Sequence, residues 1–371
     1  MKPDARLRSA ARSNRSPAPG ECLRQIGIRL PIVQGPMNGA SPPCLVAGVS
    51  NAGGLGSLAA ALFSAEQLVQ KVEEVRALTR APFNVNLFVL RKGAIPEEKI
   101  ADSLRRLTPI HLKLGLAPPQ RPAFFSEDFD EQFEALLETP PPVASFTFGL
   151  LQASEMARLK KTGVYVIGTA TTVAEALAWQ QAGADAVCAQ GYEAGGHRAS
   201  FLGDFEQSAI GTMALLPQIS QAVAIPCIAA GGIMDGRAIG CALTLGASAA
   251  QVGTAFLTCP ESGIGEFWRE ALAKSRDDST RLTRSFSGRW ARGIVNEYME
   301  TMRDHESDQP DYPYQNALTM PLRRAAALAG NEQFSSLWAG QGAPLGRPMS
   351  VASLMELLEA ELHEAFDKSV P

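Results

Sequence analysis

A chain of 371 residues has room for one large domain and a smaller companion. Its 34 Lys and Arg against 38 Asp and Glu give a net charge of −4, without the basic surplus of a nucleic-acid binder, and no apolar run is long enough to cross a membrane. The six cysteines (Cys22, Cys44, Cys188, Cys227, Cys241 and Cys259) form no C-x-x-C pair, so they read as small core residues of a reduced, cytoplasmic protein rather than as a disulfide or zinc framework.

Residues 1–20 are rich in Arg, Ser and Pro and have no apolar stretch, so they read as a flexible tail, drawn to residue 24, and not as a secretory signal. Ile28 to Met37 reads as a first strand ending in a Gly35-Pro36 turn. Ser41-Pro42-Pro43 opens a helix with serine as its cap, and Gly53 or Gly54 ends it. Gly56 to Ala61 is a second strand. Ser64 to Gln67 spells a capping box, followed by a helix with Leu68, Val72 and Val75 on one stripe. Phe83 to Val89 is a third strand, whose period of two sets Asn84 and Asn86 opposite Phe83, Val85 and Leu87. Two amides on the inward face need partners there. Residues 91–141 look irregular, apart from a weak amphipathic stretch from Phe129 to Leu137.

Val143 to Phe148 is the fourth strand, with Ser145 and Thr147 on one face. Val164 to Thr169 is the fifth, followed by a second capping box at Thr172 to Glu175 and a helix stopped by Gly183. The sixth, Ala186 to Ala189, runs straight into a polar, glycine-rich loop that carries His197, one of four histidines. A helix over Met213 to Val223 leads to the seventh strand, Pro226 to Ala230, which ends at Gly231-Gly232. Asp235 then caps a helix stopped by Gly246, and Ala249 to Phe256 is the eighth strand. Eight strand–helix alternations predict an α/β fold, a (βα)8 TIM barrel, over residues 25–259. An open doubly wound sheet would need fewer units and a G-x-G-x-x-G after the first strand, which is absent. Residues 260–340 gain aromatic and charged residues and show no strand alternation, which reads as a mostly helical substrate lid. Residues 341–371 hold a last helix, packed on the barrel through Leu354, Leu357, Leu358, Leu362 and Phe366.

Barrels of this kind work at the C-terminal ends of their strands. Those ends bring together Met37, Asn86, the loop from Gln190 to His197, Gly231-Gly232 and Gly253-Thr254. Glycine pairs after the last two strands suit a phosphate, because backbone N–H groups can point at its oxygens and the helix capped by Asp235 adds its positive end. The plainer alternative is that they only close tight turns. Asn86 and Gln190 both donate and accept, as the edge of a flavin ring requires. Histidine is the side chain best matched to proton transfer near neutrality. There is no cluster of metal ligands.

Taken together, Gly35-Pro36-Met37, Ser50 to Gly56, Asn84-Val85-Asn86, Gly191 to Arg198, Ala230 to Ile233 and Gln251 to Thr254 resemble the nitronate monooxygenase family, formerly 2-nitropropane dioxygenase. The resemblance spans residues 25–340. The stretches Tyr312 to Thr319 and Ser336 to Gln341 are similar to its nitronate-oxidising class rather than to the related NADH-dependent reductases. What the resemblance implies is an FMN-binding barrel that oxidises alkyl nitronates, and nitroalkanes, with O2 to a carbonyl compound and nitrite. It implies FMN contacts from Met37, Asn86, Gln190, Gly195, Gly232, Gln251, Val252, Gly253 and Thr254, with His197 as catalytic base or anion stabiliser. Tyr312 and Tyr314, with Tyr298, would line the substrate pocket from the lid. The partners expected are a small-molecule nitronate and O2, with neither nucleic acid nor membrane, for a monomer or homodimer. The alternative on the same barrel is an NADH-dependent flavin reductase of a quinone or an enoyl thioester.

Overall fold

The computed structural model describes residues 19–367. The expected tail over residues 1–18 lies outside them. By residue 19 the chain is already helical: Pro19–Ile26 forms a helix whose Cys22 is fully buried. Cys22 and Ile26 pack with Val143, Ala186 and Ala249, the first residues of three strands, so this helix plugs the N-terminal end of the barrel.

Eight parallel strands make that barrel. They are β1 (Ile32–Gln34), β2 (Gly56–Ala59), β3 (Phe83–Phe88), β4 (Val143–Thr147), β5 (Tyr165–Ala170), β6 (Ala186–Gln190) and, beyond a two-residue β7 (Gly196–His197), β8 (Cys227–Ala230) and β9 (Ala249–Val252). Neighbours pair in the order β1-β9-β8-β6-β5-β4-β3-β2. Main-chain bonds of 2.9 Å from Gln34 N–H to Leu55 O and from Leu55 N–H to Ile32 O close β1 onto the chain entering β2. The predicted (βα)8 barrel is therefore the fold. Phe83, Val85 and Leu87 face the surrounding helices in the main core, while Asn84 and Asn86 face the barrel interior.

Several local readings change. The first strand is far shorter than Ile28 to Met37, because Pro31 and Pro36 flank it and offer no N–H to a ladder. The eighth stops at Val252, where Gly253 starts a short helix, Thr254–Leu257. Ser41 caps nothing: Pro42 holds the cap position, and the Ser41 hydroxyl instead accepts the Met37 N–H at 3.1 Å. The box at Ser64–Gln67 forms as read. At Thr172 only half of one forms, since the Glu175 carboxylate is turned elsewhere. Residues 91–141 hold an unforeseen helix, Glu97–Lys113, which runs through Pro109. Ile100, Leu107 and Ile110 bury against Leu318 and Leu322, so tertiary packing overrides a poor local sequence. Two cysteines read as core residues, Cys44 and Cys241, are exposed.

Residues 260–340 are not helical throughout. Besides helices Glu266–Ala273 and Tyr314–Leu328 they form two strands, β10 (Thr280–Thr283) and β11 (Ala291–Ile294). β11 pairs antiparallel with β10 on one side and with β7 on the other, Ala291 opposite His197. The sheet thus ties the loop after β6 to the outer part of the molecule. The last helix, Val351–Asp367, buries Leu354, Leu358 and Leu362; Leu357 is half-buried and Phe366 is exposed.

Candidate active site

A cavity of about 400 Å³ opens at the C-terminal ends of the barrel strands. Met37, Asn86, Gln190, Gly195, His197, Gly232, Gln251, Gly253, Thr254 and Tyr312 all line it. Val252 does not: it alternates with Gln251 and Gly253 along the chain, so its side chain points into the core and is fully buried. Tyr314 and Tyr298 also lie off the wall. The Tyr314 ring packs on Phe125 and its hydroxyl donates to Ala94 O at 3.2 Å. Tyr298 is fully buried, stacks on Phe286 and donates to Ser285 O at 3.1 Å.

One end of the cavity is a backbone cradle. Gly231 and Gly232 sit at φ +119° and +72°, a region that side chains other than glycine rarely adopt. Among the described residues, the N–H groups of Gly232 and Gly253 find no acceptor. A Cβ built on Gly253 would meet nothing within 4 Å, so open space lies beside its Cα. Thr254 Oγ1 accepts the Gly340 N–H at 2.9 Å and keeps its own proton to donate. Free N–H groups, a hydroxyl and empty space together fit a phosphate.

The middle of the wall is an amide and hydroxyl ladder across β2, β3 and β4. Asn84 Nδ2 donates to Ser57 Oγ (3.1 Å) and Ser145 Oγ (2.9 Å), and Asn86 Nδ2 donates to Ser145 Oγ (2.9 Å) and Thr147 Oγ1 (3.3 Å). Flanking strands thus provide acceptors for both inward amide N–H groups, while Asn84 Oδ1 is buried without a partner among the described residues. Gln190 works differently from a free ring-edge amide. Its Nε2 donates to His197 O and its Oε1 accepts the Ala199 N–H, each at 2.9 Å, so it fixes the loop that bears the histidine. Arg198 is buried and donates to the oxygens of Gln190, Gly191 and Ser208, which makes it a structural post of the same loop.

His197 lines the same cavity, half-buried, inside a ring of aromatics. Phe148 and Tyr312 lie 5.6 Å from it, Trp338 5.7 Å and Phe88 6.1 Å, centroid to centroid. Its Nε2 is 2.9 Å from Ser287 Oγ. When the Ser287 hydroxyl donates to Arg289 O at 3.1 Å, its oxygen is left to accept and Nε2 carries the proton. Nδ1, with no hydrogen bond among the described residues, keeps its lone pair. Burial foremost, with the cations Arg289 and Arg323 assisting, pushes the imidazole pKa down to about 3. The ring is therefore neutral at pH 7. Phe148 holds it from one side with a left-handed backbone, φ +78°, a costly conformation for an aromatic residue. The Arg289 guanidinium lies 3.9 Å from the Phe148 ring centroid and clamps it in place.

Ser287, Phe88, Phe148, Trp338 and Arg323 were not singled out from the sequence as site residues. One signal was available. Asn316, Met320 and Arg323 line the cavity at helical spacing, whereas Tyr314 is turned roughly 200° from Asn316 on the same helical count.

The fold is a (βα)8 barrel whose cavity lies at the C-terminal ends of the strands, where barrel enzymes carry their chemistry. The chain belongs to the nitronate monooxygenase family, whose model matches residues 21–361. It is 41% identical over 342 residues to a probable nitronate monooxygenase of Staphylococcus aureus strain JH9, covering 92% of this chain and 96% of that protein. Among solved structures it is similar to nitroalkane oxidase from Streptomyces ansochromogenes, with 42% identity, a TM-score of 0.86, and 92% and 98% of the two chains covered. It is also similar to FabK from Thermotoga maritima, with 28% identity, a TM-score of 0.75, and 94% and 97% covered. The family implies a flavin cofactor, and the cradle and inward amides suit one. No helix among the described residues is long and apolar enough to cross a membrane.

Proposed function

We propose that the protein binds FMN and oxidises alkyl nitronates with O2 to a carbonyl compound and nitrite. The observation that carries this reading is a backbone phosphate cradle and a neutral His197 lining the same cavity. Gly232, Gly253 and Thr254 would hold the FMN phosphate, with Gln251 alongside, and Met37, Asn86 and Gly195 would meet the flavin. Bound there, FMN supplies the electron acceptor and the reaction with O2.

The chain's own residues then do the rest. His197 Nδ1 offers a lone pair to the α-proton of a neutral nitroalkane. A nitronate, already deprotonated, needs no base, and the imidazole orients it instead. Phe88, Phe148, Tyr312 and Trp338 keep water from the reacting carbon.

The test is anaerobic mixing of the yellow holoprotein with ethyl nitronate or with NADH. The expected result is bleaching by the nitronate, nitrite on admitting air, and at most slow bleaching by NADH. Rapid bleaching by NADH with none by nitronate would make the protein a flavin reductase instead. In His197→Ala, turnover of nitroethane should fall by at least ~10²-fold, the usual scale of a lost general base; unchanged turnover would place the base elsewhere.

A further inference from the structure

The cavity wall carries one formal charge. Among the described residues that line it there is no Asp, Glu or Lys, and the only charged side chain is Arg323. Its guanidinium is fixed by the wall itself: Nη2 donates to Asn316 O at 2.9 Å and to Asn316 Oδ1 at 2.8 Å, and Nη1 reaches Ser336 Oγ at 3.4 Å. Its Nε–H is buried and has no partner. Arg198, Arg289 and Arg292 also lack a carboxylate in contact, and Arg198 too has an unpartnered Nε, but none of the three lines the cavity and each donates to backbone oxygens. Burying a guanidinium without a counter-ion is costly, and an anion arriving in the cavity would offset that cost.

Position says which anion. Arg323 acts electrostatically on both His197 and Tyr312, and its Nη1 reaches Ser336, two residues before Trp338, whose ring is 5.7 Å from His197, so the guanidinium belongs with the histidine. A phosphate at the cradle has its own N–H donors. The histidine itself is uncharged and has no positive charge to offer. We propose that Arg323 binds the anionic group of the substrate and thereby makes the site selective for nitronates over neutral nitroalkanes. The proposal rests on the function given above and divides the labour: the guanidinium holds charge, and the imidazole handles the proton. Arg323 contributes to the lowered His197 pKa only after burial and Arg289.

The test uses FMN-loaded protein with inorganic nitrite as probe, followed by calorimetry, beside steady-state kinetics on ethyl nitronate and nitroethane. In Arg323→Gln, nitrite affinity should fall at least tenfold. The ratio of kcat/KM for ethyl nitronate to that for nitroethane should fall by a similar factor, while FMN stays bound. Arg323→Lys, which keeps the charge, should recover part of both. Unchanged nitrite affinity and an unchanged ratio in both variants would overturn the proposal. So would a loss of FMN from both, which would assign Arg323 to the cofactor. Should the protein turn over no nitronate at all, the functional reading fails, and the nitrite measurement still decides the role of Arg323.

Discussion

At the scale of single residues, His197 ties protonation to folding. The unfolded chain protonates this side chain near 6.5, the folded one only near 3. Between those values the unfolded state binds the extra proton, so stability rises with pH, is complete above about 6.5 and is lost progressively as pH falls toward 3. His197→Gln should remove this dependence. In denaturant unfolding at pH 4 it should lose roughly 1–3 kcal/mol less, relative to its own stability at pH 7, than the wild type does. Gly253 separates fold from cofactor. Its φ of −106° suits any residue and a Cβ there meets only open space, so Gly253→Ala should leave the melting temperature of the FMN-free protein unchanged. The same methyl would occupy the phosphate's place, and FMN affinity, measured by fluorescence quenching, should fall about tenfold or more, roughly 1.4 kcal/mol. The glycines and the histidine were legible in the sequence because each sits on one short loop next to its strand. Ser287 was not, since nothing local to it points back across the 90 residues to the imidazole that it orients.

Elements position these residues by bonds the sequence conceals. Glu175, in the helix Val173–Ala182, is wholly buried. Its carboxylate accepts from the N–H and hydroxyl of Thr171 and from the N–H groups of Phe201 and Leu202. It therefore pins the segment just beyond His197 and Arg198 to the barrel, and its charge also favours the buried cations Arg198 and Arg289. Glu175→Gln would set an amide donor against backbone donors. A loss of about 1–3 kcal/mol in denaturant unfolding is expected, together with faster proteolytic cleavage near residues 200–206. In sequence this glutamate looked like half of a capping box, because a local motif accounts for its spacing and the distant partners leave no local mark. The barrel strands were legible for the opposite reason: each buries a run of apolar residues between turn signals, so length and period suffice. The strands β10 and β11 were not, as four-residue segments carrying Arg281 and Arg292 break the apolar alternation that marks a strand.

For the whole molecule, ligand binding and stability are one measurement. The cavity is walled by the barrel and by residues 312–342 together, so FMN bound there would bridge both. Excess FMN, at ~100 times its dissociation constant, should add about 2.7 kcal/mol to stability and raise the melting temperature. Calorimetry with and without FMN checks this; separate transitions, of which only one responds, would show that the outer residues do not share the site. The pairing of β7 with β11 limits how such a molecule can admit its substrate. His197 is hydrogen-bonded through its own backbone neighbours to the outer strand, with the Arg198 N–H on Trp290 O at 2.8 Å. A hinged opening that swung the outer sheet away would carry the imidazole with it and undo the very geometry the substrate must meet. Traffic then has to pass by side-chain movement alone, beside Leu62 and Met320, two large apolar residues of the cavity wall that remain 42% and 38% exposed. A doorway of flexible hydrocarbon there would pass a small molecule while the frame that holds the histidine stays shut.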